Sequence, residues 1–482
     1  MNRPESHYFN GPNSQSMATE FITRRSFKAG LISRLTDHFL VGAASLALLS
    51  ASPVGAASTV NWPQFRGPNA SGVSEDAAPV QWNVKTGENI QWQTEIPGLG
   101  HASPVVWQDR IYVATAVRPG AKQDLRIGLY GEIDSVPEKE PHQWRMLCLD
   151  KATGKVLWNK LELEVVPRIE RHTKASHCNS TPATDGQRIV ALFGSEGLYC
   201  FDLAGKELWH KDLGKMDAGF YMVKNNQWGF ASSPVLVDGK VIVQCDVNSG
   251  QFLAAFDAVD GHELWRTARK DVPTWCTPLV ATSAGRTQIV AGGLKESAGY
   301  DLATGKRLWW LREGGDIPVS SPVLAPGLVI LTSAHGGKRP IRAIRLGAQG
   351  DITPEDVSRT NRAIAWTQPK NGVYLSTPIV VGGLVWGNQD GILTCSDVQT
   401  GQIHYNERIS IGQGFTASAV AAGGNLYLTG EEGDVFVLPA TPELRITATN
   451  KLGGICLSTP AISEGTIFFR TTEKIIAVGT RK

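Results

Sequence analysis

Several side chains that could do chemistry lie at the edges of short apolar runs in this sequence. Five of them are the candidates for lining a ligand site: His101, His177, Asp246, Trp275 and Asp390. Imidazole and carboxylate groups can bind metals or transfer protons, and an indole ring can stack on a flat ligand. Such a mixture is typical of a small-ligand pocket, although solvated loops carry the same residue types.

No spacing in the sequence indicates a metal centre or a catalytic motif. His101 and His177 lack a third histidine or cysteine at a recognisable distance, so we predict no zinc site and no catalytic residues. The seven cysteines include neither a C-x-x-C motif nor an adjacent pair, and Cys148, Cys200 and Cys395 occupy equivalent positions before an aspartate. We interpret those thiols as small buried apolar groups. Serine-hydrolase, P-loop, zincin and kinase motifs are absent from the sequence.

A repeated Ser-Pro or Thr-Pro step organises the chain and would position these side chains. The step begins at seven residues, with Ser418-Ala419 in the remaining place: Ser103, Thr181, Ser233, Thr277, Ser321, Thr377 and Thr459. Successive steps lie 41 to 78 residues apart, which allows about one four-stranded propeller blade each. In the third unit, Asp238-Gly239 separates two apolar runs, as a two-residue hairpin turn would.

A turn that ends on tryptophan recurs inside the repeat. The pattern D-x-x-[T/D]-G-x-x-x-W spans Asp150 to Trp158, Asp257 to Trp265 and Asp301 to Trp309, and shorter or altered copies end on Trp209 and Tyr405. In such a turn the aspartate accepts backbone N–H bonds, and the ring can pack between neighbouring blades. The fifth and seventh units lack the pattern, so the sequence defines their outer strands least well.

The two ends of the repeat region supply one blade between them. The segment from Ser458 to Val478 holds three apolar runs and no fourth, whereas Asn89 to Gln93 forms an extra run before the first unit. We expect this extra strand to complete the last blade and so to remove an open sheet edge. The predicted fold is all-β, an eight-bladed propeller of four-stranded antiparallel blades closed by an N-terminal strand.

The repeats resemble those of the PQQ-type (quinoprotein) propellers, a family that includes alcohol dehydrogenases and an outer-membrane-assembly lipoprotein. The resemblance covers residues 61 to 482, and Asn61 to Pro68 looks like the opening of exported bacterial members without the dehydrogenase insertions. It implies that the loops before each Ser/Thr-Pro step share one face with the loops between second and third strands, at the mouth of an axial channel. The five candidates and an insertion at about 117–143 would then lie at that mouth.

The resemblance also implies what a cofactor site would need. The dehydrogenases hold pyrroloquinoline quinone (PQQ) against an aromatic surface, bind calcium with Glu and Asn, use an Asp base, and place two adjacent cysteines over the ring. This sequence has no adjacent cysteines and is shorter than those enzymes, so we expect no cofactor. Trp275 and Asp246 could imitate part of the site, which keeps PQQ with calcium as an alternative.

The first residues have the composition of an export signal. Arg24-Arg25 precede an uncharged run from Phe39 to Ala57, and Val54-Gly55-Ala56 offers small residues for cleavage. The twin arginines resemble a Tat signal. Tat or Sec export, cleavage or a retained anchor, and a start at Met1 or Met17 all remain open.

These observations predict two segments and a binding function. Residues 1–57 form the signal sequence and leader, and residues 58–482 form the propeller. Lys plus Arg total 47 and Asp plus Glu 45 without a basic block, which disfavours nucleic acid as a partner. We predict a non-catalytic, periplasmic or otherwise exported monomer that binds an envelope protein, peptide or polysaccharide and spans no membrane after cleavage. The alternative is a PQQ- and calcium-dependent alcohol or sugar dehydrogenase.

Overall fold

The computed structural model describes residues 60–120, 124–128, 135–223, 226–312 and 317–480. The predicted signal sequence and leader lie outside these ranges, as does part of the insertion. Within them the chain forms eight antiparallel sheets, each built on four strands. The predicted eight-bladed, all-β propeller is therefore confirmed. No helix in the described ranges is long and apolar enough to cross a membrane.

Two strands precede the first complete blade: β1 (Val73–Ser74) and β2 (Ile90–Glu95). Blade one consists of β3 (Val105–Trp107), β4 (Arg110–Val117), β5 (His142–Asp150) and β6 (Val156–Val165), and blade two of β7 (Ala183–Thr184), β8 (Arg188–Leu192), β9 (Leu198–Asp202) and β10 (Glu207–Lys211). Blade three consists of β11 (Val235–Val237), β12 (Lys240–Cys245), β13 (Phe252–Asp257) and β14 (Glu263–Ala268). Blade four consists of β15 (Leu279–Ser283), β16 (Arg286–Ala291), β17 (Glu296–Asp301) and β18 (Arg307–Arg312). Blade five consists of β19 (Val323–Ala325), β20 (Leu328–Thr332), β21 (Ile341–Arg345) and β23 (Ile364–Gln368); β22 (Gly350–Asp351) lies between β21 and β23 in the chain but pairs with blade four. Blade six consists of β24 (Ile379–Val381), β25 (Leu384–Gln389), β26 (Ile392–Asp397) and β27 (Ile403–Arg408), and blade seven of β28 (Val420–Ala422), β29 (Asn425–Thr429), β30 (Asp434–Pro439) and β31 (Ala448–Lys451). Blade eight consists of β32 (Ala461–Ser463), β33 (Thr466–Arg470) and β34 (Lys474–Val478) together with β2. Short 3₁₀ turns cover Pro68–Ala70 and Gly194–Glu196.

The ring closes as the sequence predicts. Strand β2 pairs antiparallel with β34, so that Ile90 lies opposite Val478 and Glu95 opposite Lys474. Blade five keeps a regular outer strand, β23, after a detour in which β22 pairs with β18 of blade four. Blade seven also has its outer strand, β31. The two blades with the weakest sequence patterns therefore follow the same architecture as the others.

Outer-strand tryptophans join neighbouring blades. The indole Nε1 of Trp209 donates to the carbonyl of Ala258, and that of Trp265 to the carbonyl of Leu302, each at 3.1 Å in the turn of the next blade. Gly305 lies beneath the Trp265 ring, and a Cβ there would approach the ring to 2.4 Å. The glycine of the repeated turn is therefore required by the close packing of the ring as well as by its positive φ of 69°.

The hydrophobic core is divided among the spaces between blades. Side chains of successive strand residues point to opposite faces of a sheet. Val241 and Val243 of β12 accordingly pack toward blade two, whereas Ile242 between them packs toward blade four. All seven cysteines are buried free thiols, and all of them except Cys276 lie in these layers. Burial raises the pKa of the Cys148 thiol to about 12. Each blade is thus stabilised by its neighbours and depends on the closed ring.

Candidate functional site

The Ser/Thr-Pro steps meet around the propeller axis. The backbone N–H of Ser103 donates to the Thr181 hydroxyl at 3.0 Å, and the N–H of Thr181 donates to the Ser233 hydroxyl at 3.0 Å. The same bond recurs at 2.9 to 3.1 Å through the remaining steps: Ser233, Thr277, Ser321, Thr377, Ser418 and Thr459. A buried amide needs an acceptor, and each hydroxyl from Thr181 to Thr459 supplies one to the preceding blade. We call these eight residues the hydroxyl ring; the sequence shows its repeat but not this role.

The segment before β2 closes one end of the channel inside this ring. Trp62 exchanges backbone hydrogen bonds with Val106 of β3, at 2.8 and 2.9 Å, and the carbonyl of Pro63 accepts from Thr184 of β7 at 2.8 Å. Farther along, Val73 of β1 lies parallel to the innermost strand of blade seven. Between these points, residues 68–70 contact β15 and β19, the innermost strands of blades four and five. The segment therefore crosses the axis and forms a floor.

Arg66 fixes this floor from within. Its guanidinium is 1% exposed and donates to four backbone carbonyls at 2.9 to 3.2 Å: Ala70, Ser71, Pro378 and Ala419. Burial lowers the pKa of Arg66 to about 9, which still leaves the group charged at neutral pH. Gly67, with φ of 68°, packs against the Trp62 ring, where a Cβ would lie 2.4 Å from it. The opening Asn61 to Pro68 therefore has a structural role in closing the channel.

An axial cavity of about 240 Å³ lies on the inner side of the floor. Aromatic rings line it together with the hydroxyl ring: Phe65, Trp228, Trp275 and Tyr374. The Trp228 and Trp275 ring centroids are 5.1 Å apart, and Phe220 stacks behind Trp228 with its ring within 3° of parallel. Among the lining residues that the structure describes, there is no aspartate or glutamate.

His101 contributes a neutral polar group to the cavity wall. Burial, together with the charge of Arg470, lowers the pKa of His101 to about 3, so the imidazole is uncharged at neutral pH. Its Nε2 lies 3.1 Å from the carbonyl oxygen of Lys174 and must carry the proton to donate there. The Nδ1 atom is then left as an acceptor. Of the five predicted candidates, the structure brings His101 and Trp275 together in this cavity.

Residues 124–128 and 171–175, which we call the cap, pack together beside the cavity. The N–H of Arg126 donates to the carbonyl of Thr173 at 3.1 Å, and His172, Lys174 and Ala175 line the cavity. Lys174 pairs with Glu431 of blade seven, Nζ to Oε1, at 2.5 Å. The N–H of Gly128 donates to the other carboxylate oxygen at 3.2 Å, and Thr416 donates its hydroxyl to Oε1 at 2.6 Å. Glu431 thus holds both parts of the cap. Sequence reasoning missed it because a single glutamate between two strands carries no pattern.

His177 lies beside the cap in a cluster that the sequence did not indicate. Its Nε2 is 2.7 Å from Oε2 of Glu138, and Nε2 of His142 is 3.5 Å from the same oxygen. Arg171 donates two hydrogen bonds to the carboxylate of Glu138, from Nη2 to Oε1 at 2.8 Å and from Nε to Oε2 at 3.0 Å. Burial opposes ionisation of Glu138, but the hydrogen bonds from His177 and Arg171 lower the pKa of its carboxyl to about 2. Glu138 and His142 come from the insertion, whose length gives no spacing signal.

Asp246 and Asp390, the remaining candidates, occupy different surroundings. Asp246 is fully buried and accepts from Arg269 at 2.7 Å, Gln244 at 2.7 Å and Thr274 at 3.0 Å. Burial raises the pKa of its carboxyl, and the adjacent guanidinium of Arg269 opposes that rise. Asp390 is exposed in the turn between β25 and β26. The structure therefore does not bring these carboxylates to His101 and Trp275.

The cavity does not fit a quinone held with a calcium ion. Calcium takes six to eight oxygen ligands, usually including carboxylates, and the described lining residues include none. Asp246, the buried carboxylate among the sequence candidates, already accepts hydrogen bonds from three donors. A polyanionic quinone also needs cations, but Lys174, which lines the cavity, is paired with Glu431. No oxidation step follows from these residues.

Comparisons with known proteins indicate the family and the fold. A family model described as outer membrane protein assembly factor BamB matches residues 66–219 and 145–407. BamB from Moraxella catarrhalis is similar in structure, with 14% sequence identity and a TM-score of 0.52 over 76% of this chain and 98% of that chain. A europium-containing methanol dehydrogenase has 13% identity and a TM-score of 0.58 over 87% and 89% of the two chains. A quinohemoprotein alcohol dehydrogenase from Comamonas testosteroni has 13% identity and a TM-score of 0.56, over 89% and 82%. No curated protein matches the sequence significantly.

Proposed function

The chain belongs to the family described as outer membrane protein assembly factor BamB, whose model spans more than half of it, and we propose that it is a non-catalytic binding protein of the cell envelope. Its binding site is the axial cavity, and its ligand is an uncharged group presented by an envelope polysaccharide, peptide or protein. The observation that carries this proposal is the lining of the cavity, which combines aromatic rings and hydroxyls around a closed floor without a carboxylate among its described residues.

The polar groups of the cavity suit a neutral ligand. Seven of the eight hydroxyls accept one backbone N–H each and keep their own proton, which they can donate to a ligand. His101 adds an uncharged acceptor, because burial keeps it neutral. The positive charge of Lys174 is balanced by Glu431. A site of this kind can form hydrogen bonds with hydroxyl and amide groups of a ligand. Among its described residues it has no free opposite charge to offset the cost of removing a charged ligand from water.

The aromatic groups favour a ligand with a flat or apolar face. Trp228 and Trp275 stand at the cavity wall, and the indole of Trp275 is fixed by a 2.8 Å hydrogen bond from its Nε1 to the carbonyl of Gly229. Sugar rings and aromatic or aliphatic side chains present such faces, and rigid aromatic residues bind them with little loss of side-chain entropy. Because the floor is closed, the ligand enters from the loop face and ends inside the cavity.

Export is the second part of the proposal. The twin arginines, the uncharged run and the small residues at its end support a signal sequence that delivers the propeller to the periplasm. Such a protein would meet envelope polymers directly. We propose that the propeller acts there as a monomer, with the cavity face toward its partner.

Site-specific photo-cross-linking tests this function. Benzoylphenylalanine placed at position 374, where Tyr374 lines the cavity, should cross-link a ligand in intact cells of the native host. The same group at position 264, on the exposed outer strand β14, is the control. Adducts from position 374 that are absent at position 264 would support the proposal, and protease or glycosidase treatment would distinguish peptide from polysaccharide. Adducts only at position 264, or none at either position, would contradict it.

A further inference from the structure

Three potential metal ligands meet at the junction between the insertion and the loop before blade two. The ligand atoms of Glu138, His142 and His177 all lie within 4.8 Å of one another. Their side chains are 1%, 1% and 6% exposed. The two imidazole rings meet edge to face, with centroids 5.0 Å apart. The cluster is therefore compact and shielded from solvent.

The orientation of His142 leaves a lone pair inside this cluster. Its Nδ1 lies 3.0 Å from the carbonyl oxygen of Glu140 and so carries the proton of the neutral ring. Its Nε2, which has no hydrogen-bond donor among the described residues, then points a lone pair toward Glu138 Oε2 at 3.5 Å. A lone pair facing a carboxylate oxygen is repelled unless a proton or a metal cation lies between them. A backbone carbonyl that holds the far nitrogen of a histidine is a common support for metal ligation.

Glu138 retains the capacity to bind an ion while it holds Arg171. A carboxylate offers about four lone-pair sites, and the guanidinium uses one on each oxygen, at 2.8 and 3.0 Å. The remaining site on Oε2 is taken by the 2.7 Å contact with His177. An ion can replace the proton of this contact when the neutral ring of His177 carries its one proton on Nδ1 instead of Nε2. The ion would then be surrounded by Nε2 of His177, Oε2 of Glu138 and the lone pair of His142, with Arg171 fixing the carboxylate.

We propose that Glu138, His142 and His177 bind one divalent transition-metal ion, for which Zn²⁺ is the best match. Two imidazoles and one carboxylate are typical zinc ligands, and a water molecule would complete the tetrahedron. Calcium and magnesium prefer oxygen ligands and fit this set poorly. Tetrahedral bonds of about 2.0 to 2.1 Å place ligand atoms about 3.3 Å apart. The 3.5 Å contact between His142 and Glu138 is about 0.2 Å longer than this, and the 2.7 Å contact between His177 and Glu138 is about 0.6 Å shorter. The ligand nitrogens of the two histidines lie within 4.8 Å of each other.

The ion would join two parts of the chain that border the cap. Glu138 and His142 belong to the end of the insertion, whereas His177 follows the loop that carries Lys174. Residues 124–128 and 171–175 would then be held at one side by the metal and at the other by Glu431. The ion consequently orders the cap beside the cavity.

Metal binding can be measured on the full chain after treatment with a chelator. Titration with Zn²⁺ in a calorimeter should show one tight site, and Co²⁺ in its place should give the visible absorption bands of a four- or five-coordinate ion. His142→Ala and His177→Ala should each weaken binding at least tenfold. His262→Ala is the matched control, because His262 forms an exposed group with Asp257 and Asp260. Absence of a stoichiometric site, or a site lost in His262→Ala and kept in His142→Ala, would overturn the proposal.

Two measurements on the unaltered protein keep the test independent of folding in the variants. X-ray absorption at the zinc edge should show two imidazole ligands, and their absence would refute the site. Added Zn²⁺ should also slow amide hydrogen exchange in residues 124–128 and 171–175, because a ligand that binds only the ordered state stabilises it. Equal exchange with and without the ion would contradict the role in ordering the cap.

Discussion

Lys174 and Glu431 form an ion pair that holds the loop before blade two against blade seven, past blades one and eight. The Nζ and Oε1 atoms are 2.5 Å apart, and the side chains are only 11% and 1% exposed. The same carboxylate receives the amide of Gly128 and the hydroxyl of Thr416. One glutamate therefore couples the cap to the propeller ring and neutralises the lysine that lines the cavity.

Removing this carboxylate should loosen the cap. We expect Glu431→Ala to lower the free energy of unfolding by about 3 kcal/mol, because it removes the carboxylate that pairs with a largely buried lysine. Amide exchange at Gly128 should also become faster. The control is Glu464→Ala, which breaks the more exposed pair with Lys151 and should cost under about 1 kcal/mol. Similar costs in the two variants, or unchanged exchange at Gly128, would show that the pair does not hold the cap.

The hydroxyl ring should be sensitive to loss of a single acceptor. Thr277→Val keeps the shape of the side chain but leaves the buried N–H of Ser233 without its 3.0 Å partner. We expect a loss of about 1 to 3 kcal/mol in the free energy of unfolding. Thr277→Ser keeps the acceptor and should retain most of the stability. The urea unfolding curves of the two variants provide the measurement. Coincident curves would contradict the claim that the Thr277 hydroxyl stabilises the fold by accepting the N–H of Ser233.

The tryptophan packing predicts a difference between two glycines with the same backbone geometry. Gly305 has φ of 69° and lies under the Trp265 ring, whereas Gly327 has φ of 73° and no heavy atom within 4 Å of its Cβ position. Gly327→Ala should cost about 1 kcal/mol for the left-handed conformation alone. Gly305→Ala adds a clash and should cost about 1 to 3 kcal/mol more. Thermal unfolding of both variants checks this order.

The repeated features of the fold could be predicted from the sequence, whereas the site could be predicted only in part. Each blade repeats a local turn and strand pattern, so Asp301 to Trp309 and its counterparts reveal the architecture. The floor depends on contacts between Arg66 and carbonyls more than three hundred residues away, for which no local signal exists. The cap likewise depends on Glu431, and the cluster at His177 depends on an insertion of irregular length. Contacts that occur once and join distant parts of the chain produce no repeated pattern in the sequence, so they could not be predicted from it.

One carboxylate should make stability depend on pH. Burial, together with the nearby charge of Glu207, raises the pKa of Glu162 to about 7. The folded state therefore binds this proton more tightly than the unfolded chain. The contribution of Glu162 to stability is present below its unfolded pKa of about 4.3 and is lost as the pH rises through about 7.

Glu162→Gln should consequently raise the free energy of unfolding at pH 8 and change it much less at pH 5. Glu164→Gln, at an exposed position on the same strand, is the control and should show no such difference. Chemical unfolding at the two pH values provides the measurement. A stabilisation by Glu162→Gln that is equal at both values would indicate that the carboxyl does not titrate in this range.

Binding of the quinone tests the central claim that the cavity serves a neutral ligand and no redox chemistry. The full chain would be incubated with PQQ and Ca²⁺, separated by gel filtration, and assayed for dye reduction with alcohols and sugars. We expect no quinone absorbance to elute with the protein and no substrate-dependent dye reduction, because the described cavity lining offers no carboxylate for the calcium. Retention of one quinone per chain with dye reduction would contradict the account.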